Sequence, residues 1–215
     1  MQGGAVVPGK GQLPGTASDW DGVQNFATVR GKDGQIVFVS PEAPLMQFGG
    51  INTGKWQEVD HVIKPYIYSY VLNNYWDTNF RAAQEGGLHW KYDITSTTDT
   101  SMQFATNFGW SSRVPLTATL RPGSGRGTKL KDGSVLNFGK NGLLLVFARP
   151  AWDGKGVILC LREVEGRTEN LNATSLVKYR PATRVYEVNS LEEDPREVKG
   201  EIGFSPYQVR FLMLR

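Results

Sequence analysis

Apolar and polar residues alternate with a period of two in segment after segment of this 215-residue chain, and no long segment repeats with the 3.6-residue period of a helix. Alternation sends successive side chains to opposite faces of an extended backbone, so such a chain buries its apolar residues by stacking sheets. The cleanest case is Leu88–Ile94: Leu88, Trp90, Tyr92 and Ile94 share one face and His89, Lys91 and Asp93 the other, as in a half-buried strand. Further strands are expected at Gln35–Ser40, Tyr66–Leu72, Met102–Phe108, Leu143–Phe147, Val157–Arg162, Arg184–Val188, Glu201–Phe204 and Gln208–Leu214. The 25 Gly and 11 Pro fall mainly between these segments, where antiparallel strands need turns. Only Phe80–Glu85 hints at a helical turn. The expected class is all-β, an antiparallel β-sandwich followed by a smaller C-terminal β-sandwich.

A composition break divides the chain. Over Arg121–Ser134, RPGSGRGTKLKDGS, apolar periodicity gives way to Gly, Ser and charge. The expected organisation is a β-sandwich region over residues 1–120, a Gly-rich basic linker over 121–134 and the C-terminal sandwich over 135–215. No internal repeat of fixed period is present.

With 40% hydrophobic and 11% aromatic residues, the chain can build a packed core. The net charge of +3 is small, and its basic residues form no stripe and no nucleic-acid-binding motif, so no nucleic-acid partner is expected. Arg121, Arg126, Lys129 and Lys131 lie among glycines but lack the spacing and the Lys-Ser/Thr ending of a phosphate-binding loop, and read as a solvated linker. Cys160 is the sole cysteine, so no intrachain disulfide can form; it lies in the apolar run Gly156–Leu161 and reads as a packed strand thiol. The opening MQGGAVVPGKGQLPG has no signal-peptide apolar stretch and no bilayer-spanning length, so no membrane partner is expected, the segment reads as a flexible leader, and the compartment stays undecided. Asn172-Ala-Thr174 matches the glycosylation acceptor pattern, which matters only in a eukaryotic secretory protein.

The segment Pro65–Asp93 carries the chemistry. Tyr66, Tyr68, Tyr70, Tyr75, Trp76, Phe80, Trp90 and Tyr92 are interleaved with Asn73, Asn74, Asp77, Asn79, Gln84 and Glu85. A sugar needs both kinds of group: its C–H face packs on a ring, and its hydroxyls need fork-shaped partners to replace lost water. Two readings stand side by side for the rings as a group, core or cross-strand packing and sugar contact. Asn74, Trp76, Asp77 and Asn79, off the regular strands, are the candidate carbohydrate-binding residues.

Other chemistries find little support. Two histidines, His61 and His89, and one cysteine cannot assemble a nitrogen- and sulfur-rich zinc site, so no metal ligand is assigned. Ser111, Ser112 and Ser205 sit in no nucleophile elbow. Retaining glycosidases need two carboxyl groups about 5–5.5 Å apart. The candidate acids are Asp19 with Asp21, Asp77 with Glu85, and the triplet Glu192, Glu193 and Asp194. Asp19-Trp20-Asp21-Gly22 reads as a turn and the triplet, ahead of Pro195, as a solvated loop, so no catalytic residue is assigned.

Seven blocks in order carry a resemblance. The segment Tyr68–Phe80, YSYVLNNYWDTNF, then Gln84-Glu85-Gly86, Tyr92–Ser96 and Arg113-Val114-Pro115, resembles the β-sheet region of bacterial glycoside hydrolase family 38, the α-mannosidases and their relatives. Val157–Glu163, Glu187–Glu193 and Phe204–Phe211 are similar to strands of that family's terminal β-sandwich. The resemblance spans most of residues 35–215. It implies that the first sandwich belongs to a larger supersandwich. In the family the aspartate nucleophile and the zinc ion sit on an N-terminal α/β barrel, which nothing in these residues matches. The implied role is therefore a non-catalytic C-terminal β portion with no cofactor of its own. Its implied partners are the barrel and mannose-containing carbohydrate, and surface left exposed without the barrel leads us to expect self-association.

Overall fold

The structure, a computed structural model, describes residues 4–16, 20–52, 54, 62–72, 83–118, 136, 138, 142–176 and 183–215. It is all-β: the described residues form 13 strands in four antiparallel sheets, with two short helices. No described helix is long and apolar enough to cross a membrane. The chain forms two compact units, Ala5–Pro115 and Leu116–Arg215, the latter with Met1–Gly4. Residues 121–134 lie outside the described residues.

In the first unit, β1 (Asp21–Gly22), β4 (Leu45–Phe48) and β5 (Ile67–Ser69) make one sheet in the order β1-β4-β5. A second sheet, β2-β3-β6, is built from β2 (Ala27–Arg30), β3 (Gln35–Val39) and β6 (Asp93–Thr97). Along β3 the alternation is complete: Gln35, Val37 and Val39 are buried while Ile36 faces solvent. Helix α1 (Met102–Arg113) packs on β3. The buried Gln35 amide ties the two together, donating to the carbonyls of Asp99 and Ser101 just ahead of the helix while its own oxygen accepts from Thr28 Oγ1 at 3.0 Å.

Two sequence expectations are corrected here. Met102–Phe108 is the first part of a 12-residue helix and not a strand. Ser101 caps it, its Oγ accepting from Phe104 N at 3.1 Å. The buried positions Met102, Ala105, Thr106 and Gly109 follow helical spacing, but three of the four are small, so the stripe carries little hydrophobic signal. Small size is what the packing needs: a Cβ on Gly109 would lie 2.8 Å from the carbonyl oxygen of Asn25. The strand expected over Leu88–Ile94 begins only at Asp93, and its faces are reversed. Ile94 pairs with Phe38, while Asp93 and Thr95 pair with Val39 and Val37 beneath the helix, so Ile94 points outward and is 65% exposed.

The second unit is a sandwich. Its large sheet runs β11-β10-β13-β8-β7, from β7 (Leu143–Pro150), β8 (Val157–Glu163), β10 (Val185–Val188), β11 (Arg196–Glu197) and β13 (Val209–Leu214). Its small sheet pairs β9 (Glu169–Asn172) with β12 (Glu201–Phe204). Leu143, Leu159, Leu161, Leu171, Val185, Ile202, Phe204 and Leu212 fill the space between the sheets. The other face of the large sheet packs Ile158, Met213, Val188 and Ala151 together, so β8 is buried on both sides and reads as an unbroken apolar run. Cys160 is a buried free thiol in that run; burial pushes its pKa up, with the nearby Arg162 charge opposing. Asn172 ends β9 and caps the one-turn helix α2 (Ala173–Leu176): its Oδ1 accepts from Thr174 N at 2.9 Å, which gives the acceptor-like triplet a structural use.

Candidate functional site

The candidate residues Asn74, Trp76, Asp77 and Asn79 lie outside the described residues, as do Asn73, Tyr75 and Phe80. The rings that flank them are described. Tyr66 and Tyr68 meet edge to face with centroids 6.3 Å apart, and the Lys64 ammonium stands 5.7 Å from the Tyr66 ring centre. Tyr70 stacks on Trp20 at 5.4 Å, its backbone N–H donating to Leu45 O at 2.9 Å beyond the end of β5. Tyr92 stacks on Phe38 at 5.3 Å and donates its hydroxyl to Ser69 Oγ at 3.0 Å. None of Tyr66, Tyr68, Tyr70, Trp90 and Tyr92 is buried. Tyr66 and Tyr92 are exposed and Tyr68, Tyr70 and Trp90 partly exposed, so none of these rings is a fully buried core group.

Tyr92 also borders an open cleft of about 520 Å³ beside β6 and the C-terminal half of α1, lined by Tyr92, Asp93, Ile94, Phe108, Ser111 and Ser112. Ser111 Oγ donates to Asn107 O at 2.7 Å, which commits its proton and leaves the oxygen available as an acceptor. Asp93 is held by the Lys91 ammonium at 3.3 Å, and Glu42 accepts the Lys91 backbone N–H at 2.8 Å. Aromatic face, carboxylate and hydroxyls around an open cleft can hold a polyhydroxylated ligand by stacking and hydrogen bonding. The cleft lining carries one carboxylate, where acid-pair hydrolysis needs two.

Each candidate acid pair is described at one member only. Asp19 and Asp77 lie outside the described residues, and Glu85 is exposed. Asp21 is on β1, where its Oδ1 accepts from Gln12 Nε2. Among the described residues, no three His, Cys, Asp or Glu side chains converge as metal ligands would. The solvated loop expected for Glu192–Asp194 needs correction at Glu192, whose side chain is only 8% exposed and pairs with Arg149. Glu193 and Asp194 are exposed.

Two groups in the second unit were invisible to sequence reasoning. The Glu163 side chain is fully buried, and its carboxylate accepts three backbone N–H groups, from Glu165 at 2.6 Å, Gly166 at 2.9 Å and Tyr207 at 2.8 Å. It pins the turn after β8 to the turn before β13. The second group surrounds Trp152, at the tip of the β7–β8 hairpin. The Arg149 guanidinium lies 5.1 Å from the Trp152 ring centre and 5.7 Å from that of Phe147, and Glu192 Oε2 accepts the Trp152 backbone N–H at 2.9 Å. Glu192 Oε1 sits 2.5 Å from Arg149 Nη1, yet off the hydrogen-bond axis, so that contact acts as a charge pair. Glu192 lies 43 positions beyond Arg149, and no local pattern announces the pairing; an aromatic residue in the Ala151-Trp152-Asp153-Gly154 turn was the available signal.

No family model and no curated protein matches the chain.

Proposed function

We propose that this chain is the non-catalytic C-terminal β portion of an α-mannosidase-like retaining glycoside hydrolase, packing on a catalytic barrel and adding part of the wall that faces carbohydrate. The observation that carries the reading is where the resembling segments fall. Val157–Glu163 coincides with β8, Glu187–Glu193 runs from β10 into its turn, Phe204–Phe211 joins β12 to β13, and Tyr92–Ser96 covers most of β6. These are paired strands and the connections between them, the parts a conserved β architecture would keep. The exposure of Tyr66 and Tyr92, and the partial exposure of Tyr68 and Tyr70, support a carbohydrate-facing role for the segment. In this reading the bond-breaking acid and any zinc ion belong to the barrel.

The test is turnover. The purified chain should leave an aryl α-mannoside intact with and without added zinc, and hydrolysis above the blank would end the assignment. A stand-alone carbohydrate-binding module is the second reading, favoured by the open cleft at Tyr92, Asp93 and Ser111. Titration with mannose oligomers separates the two, because a complete module binds them without a barrel.

A further inference from the structure

The geometry points to a separate sugar-stacking subsite on the second unit, centred on the indole of Trp152. The ring is 68% exposed, yet it is held from below and behind. One face rests near the Arg149 guanidinium, and the backbone N–H is fixed to Glu192. Glu192 is anchored in turn by the Arg149 charge and by a turn in which it adopts φ 63°. The hairpin beneath is closed by Ala151 N–H donating to Gly156 O at 3.0 Å and Gly154 N–H to Ala151 O at 2.9 Å. Gly156, at φ 156°, leaves no room for a side chain, since a Cβ would lie 2.5 Å from Leu214 O. Three stretches of chain therefore combine to display one aromatic face to solvent, where a packing role would have covered it.

The rim selects the ligand class. Asp153, next to Trp152 in the chain, pairs with Arg215 at 2.6 Å, and its Oδ1 accepts the Lys155 backbone N–H at 2.9 Å. Arg149 is neutralised by Glu192. The charged groups of the turn and their partners, Arg149, Lys155 and Arg215 against Asp153 and Glu192, leave a surplus of one cation and supply fork-shaped donors and acceptors near a flat apolar surface. Sugar hydroxyls match that rim and sugar C–H groups match the ring. A nucleic acid, whose phosphates demand a larger surplus of cations, does not. Fixing the ring in advance also removes the ordering cost that makes weak sugar contacts weaker. This subsite does not rest on the α-mannosidase reading: it concerns other residues, and turnover says nothing of it.

The experiment follows the indole N–H resonances of the intact chain, whose six tryptophans give separate signals, the Trp152 signal being assigned by its loss in Trp152→Phe. Titration with α-linked mannotriose or with cellotriose should move the Trp152 signal saturably at millimolar concentration. Followed at the backbone amide signals of Asp153 and Gly154, which every variant keeps, Trp152→Ala should weaken trisaccharide binding at this site about tenfold, the loss of one stacking contact. Trp152→Phe should retain part of it, and Glu192→Gln, which loosens the underside of the indole, should weaken it with the ring still present. Unchanged dispersion of the backbone amide signals of residues 142–176 and 183–215, away from the turn, shows that each variant is folded. The inference is overturned if the Trp152 signal stays still with both trisaccharides, if Trp152→Ala binds as well as wild type, or if a thymidine octanucleotide moves the signal more strongly than either sugar.

Discussion

Glu163→Gln is the substitution that bears most directly on how the second unit is held together. The carboxylate makes three hydrogen bonds to backbone N–H groups, two on Oε2 and one on Oε1, in a site with no solvent exposure. Glutamine has nearly the same shape, so no cavity opens. Its carbonyl oxygen can take the place of Oε2 and keep the bonds from Gly166 and Tyr207, in neutral form. Its NH2 then faces the Glu165 N–H, donor against donor. Hydrogen bonds to charged groups contribute about 1.5–3 kcal/mol each and neutral ones about 0.5–1.5, and a buried donor left unpaired costs about 1–3 kcal/mol. Burying an amide costs less than burying a carboxylate, which offsets part of the loss. The expected net destabilisation is about 1–3 kcal/mol, a large share of the roughly 5–15 kcal/mol that holds a domain. Urea unfolding followed at the Trp152 indole resonance reports on this unit, because Trp152 is the one tryptophan in residues 116–215. The midpoint should fall with an unchanged slope. Glu163→Ala, which removes all three bonds, should fall further. A Glu163→Gln midpoint indistinguishable from wild type would refute the claim that the carboxylate pins the two turns.

Other outcomes can be checked in the same way. Gly109→Ala should lower the thermal midpoint of the first unit: helix propensity favours alanine by about 1 kcal/mol, but the new Cβ would stand 2.8 Å from Asn25 O, and overpacking costs about 1–3 kcal/mol. Cys160 should resist a thiol reagent until the protein unfolds. Because burial raises its folded pKa, the unfolded thiol ionises first, so stability should be level below about pH 8.5 and decline as pH rises from there through the folded value; Cys160→Ala should lack that decline. Arg162 is half-buried with no hydrogen bond or ion pair among the described residues, and burial pushes its pKa down. Arg162→Met should therefore hold or raise the urea midpoint, and a clear loss would reveal a partner for the guanidinium.

Local pattern located several strands well. Glu201–Phe204 matches β12, and the expected Val157–Arg162 differs from β8 by one residue. The strands that went unread, β1, β2, β4, β9 and β11, have two to four residues each, a length at which a period of two marks some strands, such as β12, and misses others. Helix α1 was misread because its buried stripe is made of small residues chosen by a close backbone approach, information that sits at Asn25 and not in the helix. The same holds for the functional groups. The aromatic segment was conspicuous because its residues are contiguous, whereas Glu163 with Tyr207, and Trp152 with Glu192, are joined only by the fold.

Alternation, Gly and Pro spacing and apolar content by themselves determined that this chain is an all-β protein, because those properties act within a few residues of each other along the backbone. Which face of Asp93–Thr97 turns inward was decided by the helix that covers Val37 and Val39, since a strand's two faces are distinguished only by what packs on them. Tertiary structure likewise decided that Glu192 leaves solvent to hold Arg149 and Trp152, and that one buried carboxylate joins the neighbouring N–H groups of Glu165 and Gly166 to the distant one of Tyr207. Such pairings depend on through-space distance between segments far apart in the chain, a quantity that a linear pattern does not carry.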